Sequence, residues 1–320
     1  MQSSGQLHDR RISLRQAYVE LVLCVCFWGA SFASMKIAVR ETSPFLAVWF
    51  RIAFGMLVLT PAVFRRGEFR LPNRSELLPL ACLGAQGVVF HQNIQFIAMG
   101  SAGVANANWI IAATPSLIAL LGWLLLRERI SLSAVAGLLV SGLGVLLVVG
   151  LGTKGLGTFR AGSLGDALIA VSALNWALFQ ILSRKLVLSA PATFTVFWMN
   201  LLALLLQTAL LLAFPPDYAQ LRAVSPMGWR AMLFLGAICS GLCYIFWYDG
   251  LSVMPTAKVA AFQFLQPVVG VFAAYFMIGE RFTPFIYVGS TMIVIGVWMV
   301  NKRRKTKCPT AESPHSTSTP

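Results

Sequence analysis

Six stripes of polar and aromatic residues lie inside otherwise apolar stretches, and their composition sets the chemistry this chain can do. Trp28, Ser31, Phe32 and Met35 share one helical face, as do Val88, Gln92, Gln95 and Phe96. The others are Asn106, Trp109, Ala113 and Ser116; Ser172, Asn175, Trp176, Phe179, Gln180 and Ser183; Ser240, Tyr244, Trp247 and Tyr248; and Thr256, Gln263, Gln266 and Gly270. Residues three, four and seven apart fall on one face of a helix. Amides, hydroxyls and indoles recognise a ligand through hydrogen bonds and ring faces without breaking its bonds. Such a lining suits small neutral or zwitterionic molecules with an apolar part. Aromatic faces also bind cations, so quaternary ammonium compounds fit the same lining. One buried amide is as readily a cross-link between helices, typically worth ~0.6 kcal/mol. Six stripes together point to one cavity, because polar groups at membrane depth need partners or water.

Ionisable residues are sparse where they would matter. All 11 acids fall in a tail, a loop or near the end of an apolar run. His91 is the single imidazole within such a run; it is expected to shape the cavity by hydrogen bonding rather than carry protons. Proton coupling, exchange and plain facilitation all remain compatible with this pattern. Arg51, about two turns below the outer surface, is expected to snorkel or pair with a carbonyl; a substrate carboxylate is its other possible partner. The cavity is expected to be aromatic, amide-lined and almost uncharged.

An intramembrane enzyme or lipid-handling protein is the rival reading, and it needs a nucleophile–base pair, a metal cluster or paired acids. There is no H-E-x-x-H and only His8, His91 and His315 are present, so neither a metal nor a cofactor is expected. No G-x-x-x-x-G-K-[ST] loop is present either. Cys24-x-Cys26 and Cys239-x3-Cys243 lack metal-site spacing, and no disulfide framework follows.

The elements that carry these stripes are membrane helices. Apolar residues make up 58% and charged residues 11%, with a mean hydropathy of +0.75. About 20 apolar residues of helix cross a ~30 Å hydrocarbon core. Ten such runs are expected, at roughly 17–37, 45–64, 77–99, 102–126, 132–151, 165–183, 193–214, 229–249, 256–279 and 284–301. The net charge of +14 invites a nucleic-acid reading, but its placement argues against one. With both termini inside, 17 Lys and Arg fall on the cytoplasmic side and 7 outside, an orientation signal. The tail from Lys302 to Lys307 then lies against anionic headgroups. Arg10, Arg11 and Arg15 before the first run mimic a secretion signal. The run is expected to be retained, because it has a partner in the second half.

That partner belongs to an internal repeat. Phe96 to Arg129 aligns with Tyr248 to Arg281, setting Pro115 over Pro267, Glu128 over Glu280 and Arg129 over Arg281. Trp28 matches Trp176, Lys36 matches Arg184 and Trp49 matches Trp198. Five spans per half make the second copy enter from the opposite face, an inverted repeat suited to alternating access. Pro115 and Pro267 are expected to kink their helices and act as hinges.

The resemblance these residues carry is to the drug/metabolite transporter superfamily, of the type with two EamA domains. Phe27-Trp28-Gly29-Ala30-Ser31-Phe32 resembles its W-G-x-x-F opening, and Arg51-Ile52-Ala53-Phe54 its Arg-Phe element. Pro115 followed by Leu126-Arg127-Glu128-Arg129 resembles its P…L-G-E-R ending, repeated at Gly279-Glu280-Arg281. The second half departs at Asn200, which stands where Arg51 stands in the first. The expected fold is therefore an all-α polytopic membrane protein of two inverted five-helix repeats. A tail (1–16), repeats at 17–151 and 165–301, an external linker (152–164) and a basic tail (302–320) are its expected parts. The resemblance implies a secondary transporter exporting amino acids or related metabolites across a bacterial inner membrane. Its expected partners are a small molecule and the bilayer; the oligomeric state is left open, a monomer being compatible with the sequence. The residues expected at the substrate are Trp28, His91, Gln92, Gln95, Asn106, Trp109, Asn175, Trp176, Gln180, Tyr244, Trp247, Tyr248, Gln263 and Gln266.

Overall fold

Helices follow one another along the chain, and the computed structural model describes residues 12–101, 110–127, 130–147, 164–266, 268–269 and 284–301. Every regular element among them is helical. The first repeat contains α1 (Leu14–Glu41), α2 (Pro44–Arg65), α3 (Arg74–Leu83), a π-helical segment Gly84–Phe90 and α4 (His91–Ser101). It continues with α5 (Thr114–Leu126) and α6 (Leu132–Val145). The second contains α7 (Leu164–Val187), α8 (Ala192–Ala213), α9 (Pro226–Leu233), a π-helical segment Phe234–Leu242 and α10 (Cys243–Val253). After these come α11 (Thr256–Ala261), a 3₁₀ turn Phe262–Phe264 and α12 (Pro284–Asn301).

Local sequence sets where these helices begin. Ser13, Ser131 and Ser225 each accept the N–H of the third residue on, at 3.1, 3.2 and 3.0 Å, satisfying a donor the helix leaves open. Glu76 turns back to accept the Asn73 N–H at 2.9 Å. Outside the membrane segments, the Arg70 guanidinium beside Glu76 holds its carboxyl below the ordinary value. Two acids join the repeats at their ends. Glu68 accepts the N–H groups of Thr193 and Phe194 at 3.1 and 3.3 Å; Glu41 accepts the Ser225 N–H at 2.8 Å and its hydroxyl at 2.9 Å.

Among the described residues, five stretches are long and apolar enough to cross a membrane: Leu14–Glu41, Pro44–Arg65, Ala167–Val187, Ala192–Ala213 and Pro226–Val253. They cover the first, second, sixth, seventh and eighth of the ten expected spans. Thr114–Leu126, Leu132–Val145 and Tyr287–Asn301 are shorter apolar helices. The third expected span is continuous from α3 through α4, but Gln86, His91, Gln92, Asn93 and Gln95 lower its hydropathy. Leu57, Leu139, Leu205, Leu212 and Trp298 stand exposed on the outside of the bundle. A belt of this kind is a liability in water and the natural surface in lipid.

Packing between the repeats is reciprocal. Helix α1 lies along α9, α10 and the π-helical segment between them, and α7 lies along α4 and the other π-helical segment. Meanwhile α2 packs on α8, α5 on α11 and α6 on α12, each with its own counterpart. Exchange of partners in one pair and self-pairing in the others is the pattern a twofold relation produces. The α6–α12 contact is tight because Gly137, Ser141 and Gly144 face it; the Ser141 hydroxyl donates to the Ile293 carbonyl at 3.3 Å.

The proline expectation needs correcting. Pro115 sits in the first turn of α5, after a non-helical turn at Ala112–Ala113, and kinks no helix interior. A first-turn proline lacks only an N–H that would have no partner there. The chain is thus interrupted at Ala112–Ala113, and the helix restarts at Thr114 with Pro115 in its first turn. Pro267 lies outside the described residues, as do Asn106 and Trp109.

Candidate functional site

At the junction of the two repeats is a cavity of about 70 Å³, with room for several waters. Trp28, Ser31 and Phe32 of α1 line it with Arg51 of α2 and with His91, Gln92 and Gln95 of α4. Ile111 and Thr114 border the break before α5; Ser172, Ala173 and Trp176 come from α7, Tyr244 from α10, and Gln263 and Gln266 follow α11. Eight of the expected residues therefore meet on one wall system: Trp28, His91, Gln92, Gln95, Trp176, Tyr244, Gln263 and Gln266.

Rings organise the wall. The Trp28 ring centroid lies 5.6 Å from that of Trp176 and 6.2 Å from that of Tyr244, both edge-on. Its indole N–H donates to the Cys239 carbonyl at 3.0 Å. His91 stacks on Trp176 at 4.9 Å, and its Nδ1 is 3.1 Å from the Ser172 hydroxyl. Gln92 Nε2 donates to the Tyr244 hydroxyl at 3.4 Å. The side-chain carbonyl oxygens of Gln92 and Gln263 are buried without a donor, leaving two acceptors to be satisfied.

Gln180, Trp247 and Tyr248 are not part of the wall; they form a floor beneath it. The Trp247 indole N–H donates to Gln180 Oε1 at 2.6 Å. Tyr248 stacks on Tyr244 at 6.4 Å and its hydroxyl donates to Met199 Sδ at 3.4 Å. Ser183 donates to the Phe179 carbonyl in the same layer. Asn175 is also off the wall, its amide donating at 3.1 Å to the Gln86 carbonyl. Below the floor, Arg66 grips Asp249 through two hydrogen bonds of 2.9 and 2.8 Å. Glu20 is buried nearby, accepting from Gln16 at 2.7 Å.

Arg51 corrects the expectation of a nearly uncharged cavity. It does not snorkel: the residue is 5% exposed and faces inward. Its Nε donates to the Ser240 hydroxyl at 2.8 Å, and its guanidinium carbon is 5.9 Å from the Phe96 ring centroid. Nη1 has no partner.

Two further features escaped the sequence reading. The π-helical segments precede His91 and Cys243, so the residues after each are turned relative to an unbroken α-helix. Their matched glycines admit the second helix of the opposite repeat. A Cβ on Gly84 would lie 2.6 Å from the Met199 carbonyl oxygen, and one on Gly236 2.7 Å from that of Arg51. Matched glycines were the available signal; Gly84 and Gly236 occupy equivalent places in the repeats. The other feature is the fully buried Gln207, whose amide donates to the Phe45 carbonyl at 2.8 Å and accepts from Asn93 at 2.8 Å. A lone glutamine in α8 carries no stripe to announce it.

Comparison with known proteins settles the class of molecule to which this architecture belongs. The EamA-like transporter family matches residues 16–150 and again 163–302. The chain belongs to the EamA-like transporter family. It is a multi-pass membrane protein, and the two matches cover both repeats. An uncharacterized transporter of Archaeoglobus fulgidus is 27% identical over 90% of this chain and 98% of that protein. The uncharacterized transporter YyaM of Bacillus subtilis is 26% identical over 88% of this chain and 92% of its own length. A probable amino-acid metabolite efflux pump of Salmonella typhimurium is 26% identical over 87% of this chain and 92% of that protein. One solved crystal structure shares the fold with a TM-score of 0.72 at 21% identity, over 90% of this chain and 96% of that one.

Proposed function

We propose that this EamA-family transporter is a secondary exporter of small amphipathic metabolites, amino acids foremost, working by alternating access through the cavity at the repeat junction. The observation that carries the reading is that cavity: both repeats wall it, with aromatic rings and amides, where their packing is reciprocal. The name of the Salmonella relative supports amino-acid metabolites as cargo and export as direction.

Ten spans in two inverted repeats, with both termini in the cytoplasm of a bacterium, give this cavity an orientation. The charge asymmetry puts the start of α1 inside, so the side of the bundle holding Glu20, Arg66 and Asp249 is cytoplasmic. The floor of Trp247, Gln180 and Tyr248 then separates the cavity from the cytoplasm. Transport requires the floor to part while the opposite side closes, with the break before Pro115 as one hinge. No step needs a cofactor or a metal. His91, held between Ser172 and Trp176, shapes the wall, and flux runs downhill or by exchange.

The experiment compares metabolites released by cells with and without the protein, then repeats the comparison with Trp176→Ala at equal membrane levels. An amphipathic metabolite whose release depends on the protein and falls in the variant supports the proposal. Unchanged release with Trp176→Ala counts against this cavity.

A further inference from the structure

Arg51 is the one residue of the cavity whose charge the fold does not explain. Among the described residues, its one hydrogen bond to a side chain, from Nε to the Ser240 hydroxyl, is one that a neutral amide can make equally well. Its Nη1 is buried with no hydrogen-bond partner among the described residues. Among the described residues no aspartate or glutamate lines the cavity. The buried carboxylates are engaged elsewhere: Asp249 with Arg66 below the floor, and Glu20 with Gln16.

The second repeat supplies an internal control. There Asn200 stands in the place of Arg51, and its amide simply donates to the Val196 carbonyl at 2.9 Å. The packing it serves is equivalent, since α8 crosses the first π-helical segment as α2 crosses the second. A neutral residue therefore suffices for the architecture. A guanidinium stays charged at any physiological pH and offers a fork of donors matched to two oxygens of one group. Leaving such a charge uncompensated away from water is costly unless an anion arrives to pair with it.

We propose that Arg51 receives the carboxylate of the transported molecule. The unpartnered amide oxygens of Gln92 and Gln263, on the same wall, accept from a donor carried beside that carboxylate, such as an ammonium group. The aromatic faces of Trp28 and Trp176 take the apolar remainder. A quaternary ammonium ion without an acid group meets an uncompensated positive charge here. This inference rests on the cavity being the transport site.

The test uses the full-length protein in lipid nanodiscs with three ligands of one shape: 3-phenylpropionate, its amide, and 3-phenylpropylamine. Calorimetric titration of the wild type is expected to show the carboxylate binding at least about tenfold tighter than the other two. Arg51→Gln is expected to lose about ten- to hundredfold on the carboxylate, the range of a hydrogen bond to a charged group. Amide binding should stay unchanged and the unfolding midpoint should not fall, since the variant removes a costly buried charge; a purely structural role for Arg51 would lower it. Arg51→Lys, with charge but no fork, should fall between. Equal binding of all three ligands, or equal weakening of all three in Arg51→Gln, overturns the carboxylate assignment. If Trp176→Ala still weakens the ligands in that case, the cavity reading survives. Binding of the carboxylate that ignores both Arg51→Gln and Trp176→Ala, or no binding of it at all, overturns both.

Discussion

Replacing Arg66 by methionine should destabilise the cytoplasmic side of the bundle by about 3 kcal/mol. The pair it breaks is bidentate, at 2.9 and 2.8 Å, and joins the end of α2 to α10 across the repeats. The Asp249 side chain is only 4% exposed, while that of Arg66 is 30% exposed. Removing one partner of a buried pair costs about 3–5 kcal/mol, because the other charge is stranded. Partial exposure of Arg66 puts this case at the lower end of that range. Glu20, buried close by, adds a second unbalanced carboxylate once the arginine is gone. The double variant Arg66→Met/Asp249→Leu removes both members and should recover most of the loss. Unfolding in mixed micelles under one set of conditions for all four proteins of the cycle reads the coupling directly. A loss under about 0.5 kcal/mol in Arg66→Met, or no recovery in the double variant, would refute the claim that this pair closes the floor from below.

Two further substitutions probe the joints between the repeats. Gln207→Leu leaves Asn93 and the Phe45 carbonyl without their partner and should cost about 1–3 kcal/mol; adding Asn93→Leu should cost less than the sum, read in the same unfolding assay. Gly236→Ala pushes a methyl group against the Arg51 carbonyl and the Phe54 side chain, and should cost about 1–3 kcal/mol as α2 is forced outward. An unfolding midpoint equal to wild type would show that the contact is looser than its geometry.

Much of the cavity was legible because polar residues in a membrane helix have few reasons to exist. Helical spacing alone put Trp28, Gln92, Trp176 and Tyr244 on inward faces, and all four line the wall. The same spacing made no distinction of depth. Trp247 and Tyr248 share the stripe of Tyr244, yet they lie under the cavity in the floor. Depth depends on where helices cross, which no single stripe encodes. Arg51 was misjudged because a lone arginine near a span end usually reaches for water, and only the packing of Ser240 and Phe96 around it holds it inward. The π-helical segments are not announced by any polar pattern of their own, only by glycines, Gly84 and Gly236 among them, that permit a close crossing. Pro115 reads as an interior kink because the apolar run continues through it; the helix instead breaks at Ala112–Ala113 and begins again at Thr114.

Ala173 borders the cavity without making a side-chain hydrogen bond, so enlarging it tests the site with little else disturbed. The measurement is substrate counterflow in proteoliposomes holding wild-type or Ala173→Trp protein, using the metabolite identified from the release comparison. An indole at this position fills the cavity, so counterflow should stop while the variant still folds and reconstitutes, its unfolding midpoint lowered only as overpacking requires. Counterflow at the wild-type rate in a folded Ala173→Trp protein would mean that the substrate crosses the bilayer by some other path.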